Sequence, residues 1–172
     1  VLSAGDGWWD QTVDVSIDFA LTVNLLGEWG ISGNLGSLSA ENLARVRRAA
    51  EFYERHRRFL AHTVCHPLTK LQPIDNYKGW AAMQYENIDG LGSLLYVFRL
   101  VDDSDTLFVY PKNLLPAQRY LVRCGETEDC RTGAELLHFG VAVYCPSRFE
   151  ARLIELIPAQ ADNYENEKEN EL

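Results

Sequence analysis

From Ala40 to His62 the apolar positions Leu43, Val46, Ala50 and Tyr53 return at three- and four-residue spacing, and Ala49, Phe52, His56 and Phe59 widen the stripe. That period is the signature of an α-helix with one buried face, and most of the arginines take the other face. Ser39 stands where an N-cap hydroxyl belongs, and Glu41 falls in the first turn, where the helix dipole favours an acid. The pattern predicts an amphipathic helix of about six turns. Upstream, Ile17 to Leu26 is apolar enough for a buried strand or a helix, and periodicity leaves both open. Between the two lies Gly27-Glu28-Trp29-Gly30-Ile31-Ser32-Gly33-Asn34-Leu35-Gly36, whose density of glycines predicts a loop with unusual backbone angles. Its spacing is neither the Walker nor the dinucleotide pattern, and no lysine follows it, which excludes the usual phosphate cradle.

After Pro67 and Pro73 the texture changes to short β-type runs: Trp80 to Tyr85, Ser93 to Leu100, Thr106 to Tyr110, Tyr120 to Cys124, Glu135 to Tyr144 and Arg148 to Ile157. Turn-forming pairs separate them, among them Asp89-Gly90, Asp102-Asp103, Leu115-Pro116 and Thr132-Gly133. Closely spaced strands with no intervening helix predict an antiparallel sandwich or barrel. The passage from helical to β sequence falls between about residues 62 and 75.

Charge changes the picture of partners. The 172 residues carry a net charge of −9, which argues against nucleic acid. No apolar run approaches the ~18 residues of a membrane span, and Asp6, Asp10, Asp14 and Asp18 interrupt any signal-peptide reading of the N-terminus. The chain opens on Val1, so a processed product or a piece of something longer is expected. Residues 1–44 hold no Lys or Arg, whereas Arg45, Arg47, Arg48, Arg55, Arg57 and Arg58 crowd one stretch. The last segment, Asp162 to Leu172, holds five acids and Lys168; removing its −4 from −9 leaves −5 for the body. Without apolar periodicity it is expected to be a disordered acidic tail. The cysteines Cys65, Cys124, Cys130 and Cys145 are too few for a disulfide-dense scaffold, although Cys124 and Cys130 could close a short loop across a hairpin in an oxidising compartment. A cytoplasmic setting is the expectation.

Candidate chemistry is sparse. Asp10, Asp14 and Asp18 recur every four residues and would share one face of a helix, where like charges raise pKa values as a general acid requires; with no second acid-base partner in view, a solvated face is the simpler reading. His62, Cys65 and His66 resemble half of a zinc site, which needs three or four protein ligands, so no metal and no cofactor are expected. Trp8, Trp9, Trp29 and Trp80 offer aromatic faces to a sugar. Trp80 opens a β-run and belongs to the core, and Trp8 and Trp9 suit a core or interface, which leaves Trp29 in the glycine-rich loop as the candidate substrate-binding residue.

The order of these segments carries a resemblance. GISGNLGSLSAENLARVRRAAEFYERHRRFL, with Tyr53 and Arg57 as a Tyr-x-x-x-Arg helix, is followed by GWAAMQYENIDG, SLLYVFRL, LLPAQRYLVR and TGAELLHFGVAVY. A Trp-led strand, a Phe-Arg strand, a Leu-x-Pro-x-x-x-Tyr turn and a Thr-Gly-x-x-Leu turn in this order resemble the C-terminal end of α-galactosidase-type enzymes of glycoside hydrolase family 36, over about residues 27 to 158. The resemblance implies an α+β chain: residues 1–66 as a helical segment ending a TIM-type barrel, 67–160 as a C-terminal antiparallel β-sandwich, and 161–172 as the tail. It implies a parent that hydrolyses α-linked galactosides with retention, through two carboxylates about 5–5.5 Å apart. Both would lie on barrel strands upstream of Val1, so no catalytic residue transfers to this chain. The isolated chain is then expected to be inactive and, with helix faces left uncovered by missing barrel units, to self-associate through residues 13–60. A non-catalytic carbohydrate-binding or interaction module is the alternative.

Overall fold

Seven consecutive residues, Ser93–Arg99, are all buried, which requires packing on both faces of one strand. The computed structural model, which describes residues 2–4, 15–73 and 76–159, supplies a layer for each face. In chain order the elements are β1 (Leu2–Ala4), α1 (Ile17–Asn24), β2 (Ile31–Gly33), α2 (Ala40–Leu60), β3 (Thr63–Pro67), β4 (Trp80–Asn87), β5 (Ser93–Arg99), β6 (Thr106–Val109), β7 (Arg119–Cys124), β8 (Thr127–Thr132), α3 (Gly133–Phe139), β9 (Val141–Tyr144) and β10 (Glu150–Pro158). The central sheet runs β3-β4-β5-β10-β7-β8, with every neighbouring pair antiparallel. A second antiparallel pair, β6-β9, stands apart, and β1 and β2 pair in parallel. The chain is thus α+β, with mainly antiparallel sheets.

Alternation along β5 divides the core. Leu95 and Val97 face Val109, Leu136, Val143 and Leu156, so the second sheet and α3 cover that side. Leu94, Tyr96 and Phe98 face Leu25, Phe19, Phe52 and Phe59 from the two long helices. Tyr96 and Tyr85 donate their hydroxyls to the Leu25 and Leu26 carbonyls at 2.9 and 2.8 Å, which pins the end of α1 to the sheet. Burial holds both phenols above their ordinary values. Leu95 and Leu156 are fully buried, each contributing about 1.5–3 kcal/mol by leaving water.

The helix read from periodicity starts where expected: Ser39 accepts from the Asn42 amide at 3.2 Å and Glu41 lies in the first turn. It ends at Leu60 rather than His62, because β3 begins at Thr63 and pairs with β4. Ile17–Asn24 resolves as a helix, capped by Ser16, whose side chain accepts from the Phe19 amide at 3.1 Å. The glycine-rich stretch is not the strained loop expected. Gly27, Gly30 and Gly36 do not adopt positive φ, and Ile31–Gly33 is extended because it pairs with β1.

The run Glu135 to Tyr144 is not one strand. Thr132 and Glu135 form a capping box, with the Glu135 amide 3.2 Å from the Thr132 hydroxyl and the Thr132 amide 2.7 Å from the Glu135 carboxylate, so α3 precedes β9. The expectation of strands without an intervening helix therefore fails at that point. The hairpin disulfide that the spacing allows is not formed. In the β7–β8 register Cys124 lies opposite Thr127 and Cys130 opposite Leu121, so the two thiols are three positions apart and on opposite faces, and both are free.

Candidate functional site

An open cleft of about 860 Å3 lies between the α1–α2 layer and strands β7 and β10. Its floor is apolar, with Leu21, Leu25, Phe52 and Leu153, and its walls carry Arg45, Arg48, Arg55, Arg123 and Arg152 against the acids Asp18 and Glu155. In a chain of net charge −9 this is a local excess of positive charge. Sequence reading found the α2 arginines but not their strand counterparts, since Arg123 and Arg152 are brought in only by the pairing of β7 with β10.

At the cleft wall His56 lies on the Phe52 ring, centroids 4.0 Å apart. Its Nδ1 donates to the Phe52 carbonyl at 2.9 Å, which leaves Nε2 2.7 Å from Glu155 Oε1. Arg123 reaches the other Glu155 oxygen at 3.3 Å and Glu128 at 2.6 Å. The hydrogen bond from His56, aided by Arg123, holds the Glu155 carboxyl below the usual carboxylate value against the opposing effect of burial. A general acid needs the reverse shift, so Glu155 is built to hold α2 on β10 rather than to deliver a proton. Asp18 is engaged too, ion-paired with Arg45, which also meets Glu41 at 2.7 Å. Because the Glu155 carboxylate is stabilised in the fold, its contribution is present above the ordinary value of 4.5 and is lost as pH falls through its lowered value. Glu155→Gln is expected to cost about 1–3 kcal/mol at pH 7 and to converge on the parent at an acid pH where the carboxyl is protonated in the fold as well. Urea denaturation at both pH values checks this, and an equal cost at both would remove charge from the account.

Trp29 stacks on Tyr53, with centroids 6.0 Å apart, and packs against both helix clusters. Its Nε1 is buried and has no hydrogen-bond partner among the described residues. Trp80 is buried as expected, in the core between the sheets. Trp8, Trp9, Asp10, Asp14 and the tail lie outside the described residues. His62, Cys65 and His66 do not converge: His62 pairs with Asp89 at 3.0 Å and His66 with Glu86 at 2.6 Å, while Cys65 takes the opposite face of β3 from His66. Among the described residues no three His, Cys, Asp or Glu side chains could hold a metal ion, and no helix is long and apolar enough to cross a membrane.

The recurring turns have structural duties. Tyr120 accepts the Leu115 amide on its hydroxyl at 3.1 Å, and the Gly133 and Ala134 amides donate to the Gln118 and Pro116 carbonyls at 2.7 and 2.9 Å. The Leu-x-Pro-x-x-x-Tyr and Thr-Gly-x-x-Leu turns are therefore two halves of one clasp. A Cβ on Gly133 would lie 2.1 Å from the Leu115 carbonyl oxygen, which explains the glycine.

No protein-family model and no curated protein matches the sequence. Solved structures do match in fold. The galactosidase domain of the α-galactosidase-sucrose kinase AgaSK superposes with a TM-score of 0.77 at 20% identity, over 92% of this chain and 21% of that one. A GH36 α-galactosidase, AgaA of Geobacillus stearothermophilus, solved in complex with raffinose, gives 0.75 at 21% identity, over 92% and 21%. The α-galactosidase from Lactobacillus brevis gives 0.71 at 16% identity, over 95% and 23%. The chain thus shares its fold with GH36 α-galactosidases over nearly all of its own length, and it spans about a fifth of theirs.

Proposed function

We propose that this chain is the C-terminal portion of an α-galactosidase-like glycoside hydrolase and that the chemistry resides in segments preceding it. The observation that carries the reading is the fold shared with three α-galactosidases over more than nine-tenths of the chain. The parallel β1–β2 pair followed by α2 supports a further step, that residues 1–66 end a (β/α)8 barrel braced by the sheets behind it. The substrate class would be α-linked galactosides. The cleft's two carboxylates are both committed to arginine or histidine partners, so the chain alone is expected not to cleave an aryl α-galactoside. Turnover by the purified chain that disappears in Asp18→Asn would overturn this placement of the active site.

Trp29 is the proposed sugar contact. Galactose is expected to quench tryptophan fluorescence in the parent chain and not in Trp29→Ala; an unchanged parent spectrum at high millimolar sugar leaves Trp29 a packing residue on Tyr53. The helix layer keeps Val23 and Leu43 exposed, which supports self-association through residues 13–60 when no preceding segment covers them. Sedimentation at micromolar concentration showing only the 19.5 kDa monomer would remove that part of the reading. The second reading, a non-catalytic carbohydrate-binding module, draws on Phe108 and Tyr144, both more than half exposed on β6 and β9. It requires galactose quenching to survive in Trp29→Ala.

A further inference from the structure

We propose that the arginine-lined cleft binds a small amphipathic anion, a phosphate monoester carrying an apolar body. Arg48, Phe52 and Arg55 follow one another on α2 at four- and three-residue spacing, so they form one continuous row of cation, ring and cation. All three line the cleft. Both arginines are exposed, and neither makes an ion pair with a described residue, not even Arg55 with Glu51, which stands four positions before it. The cleft's own carboxylates are already engaged. Asp18 is held by Arg45, and Glu155 by His56 at 2.7 Å and Arg123 at 3.3 Å. Two guanidinium groups, based about 10 Å apart along one wall, are therefore open to an anion from solution. A phosphate monoester brings about −1.5 to −2 charges at neutral pH and oxygen pairs that match the guanidinium fork.

The floor specifies the rest of the ligand. Leu21 of α1, Leu25 just beyond its end, and Leu153 and Ile157 of β10 form an apolar bed beside the arginine row. The cleft volume of about 860 Å3 falls in the range of small-molecule sites, which combine apolar walls with a few placed polar groups. Inorganic phosphate would leave that bed in water, and a neutral sugar would leave both arginines unanswered. An alkyl or aryl phosphate satisfies the two together, with its head between Arg48 and Arg55 and its body across the bed. Each methylene that leaves water is worth about fourfold in affinity, so the body supplies most of the binding. The head supplies the selection for charge, and salt screens it.

Calorimetric titration of the full chain with decyl phosphate, below its micelle-forming concentration and at low salt, tests the site. A Kd in about the ten-micromolar range is expected. Arg48→Gln/Arg55→Gln should weaken it about tenfold, the equivalent of two exposed ion pairs, and both side chains are exposed, so the urea midpoint should stay that of the parent. Inorganic phosphate, which lacks the body, should bind about a hundredfold more weakly. Octyl galactoside, a neutral amphiphile, should bind no more tightly than decyl phosphate binds the double variant. A second measurement needs no variant: decyl phosphate is expected to shift the amide resonances of Phe52, Gly125 and Leu153. No binding at millimolar probe overturns the proposal, as does undiminished affinity in the double variant. Inorganic phosphate as tight as decyl phosphate would remove the apolar bed from the site, and octyl galactoside as tight would remove the arginines; either result overturns it. So do shifts confined to β6 and β9.

Discussion

Gly92→Ala is expected to be among the most damaging single methyl additions in the chain, lowering stability by about 3–5 kcal/mol and shifting the urea midpoint accordingly. Gly92 ends the β4–β5 turn at φ +109°, and a Cβ there would lie 2.1 Å from the Leu156 carbonyl oxygen and 2.9 Å from Pro158 Cδ. The carbonyl is backbone of β10, which is paired to β5 on one side and β7 on the other, so it cannot step aside without parting the centre of the sheet. Gly90, two residues earlier, separates strain from collision. It also has a left-handed φ, +76°, but nothing lies within 4 Å of its Cβ position. Gly90→Ala should therefore cost only the conformational strain, about 1–2 kcal/mol. Equal losses at the two positions would mean that the turn moves freely over β10 and that the close approach does not constrain it.

The elements legible in the sequence are those whose signal is local and whose surroundings agree with it. The helix over Ala40–Leu60 shows a full stripe, a cap and a first-turn acid, and it forms where that pattern puts it. Strands β4, β5, β7 and β10 announce themselves by apolar β-type runs between turn pairs. The failures share a physical cause. Strand β8, Thr127–Thr132, is polar because it is the sheet's outer strand with no inward-facing burden, so it carries no hydrophobic signal. Strand β3 is the sheet's other edge strand and carries little hydrophobic signal for the same reason. Helix α3 is too short for periodicity to register, and its local cue, the Thr132–Glu135 capping box, overlaps the Thr132-Gly133 turn pair. The cleft was half legible: Arg45, Arg48 and Arg55 stand out on α2, but their meeting with Arg123 and Arg152 depends on a strand register between residues about thirty apart, which local pattern cannot supply.

Arg99→Met is expected to destabilise the chain by about 2–4 kcal/mol, although it removes a buried cation. Arg99 is only 6% exposed, and the partners of its guanidinium are carbonyl oxygens: Cys145 at 2.6 Å and Pro146 at 2.9 Å from Nη1, and Asp102 at 2.8 Å from Nη2. Its Nε is buried with no partner among the described residues, and its planar head sits 6.0 Å from the Trp80 ring. Burying a charge costs several kcal/mol, which opposes the expected loss. The three charge-assisted bonds outweigh it, because Met would leave the buried Cys145 carbonyl and the part-buried Pro146 and Asp102 carbonyls without this donor, at about 1–3 kcal/mol for the buried one and less for the others. Arg99→Lys gives the sharper test. An ammonium keeps the charge but cannot span three carbonyls as the guanidinium fork does, so it should recover less than half of the loss in urea denaturation. Full recovery by Lys would make charge, not the fork, the reason for the arginine. A neutral or stabilising Met would mean that desolvation of the cation cancels its bonds, and the Phe-Arg strand would then need an explanation outside the fold of this chain.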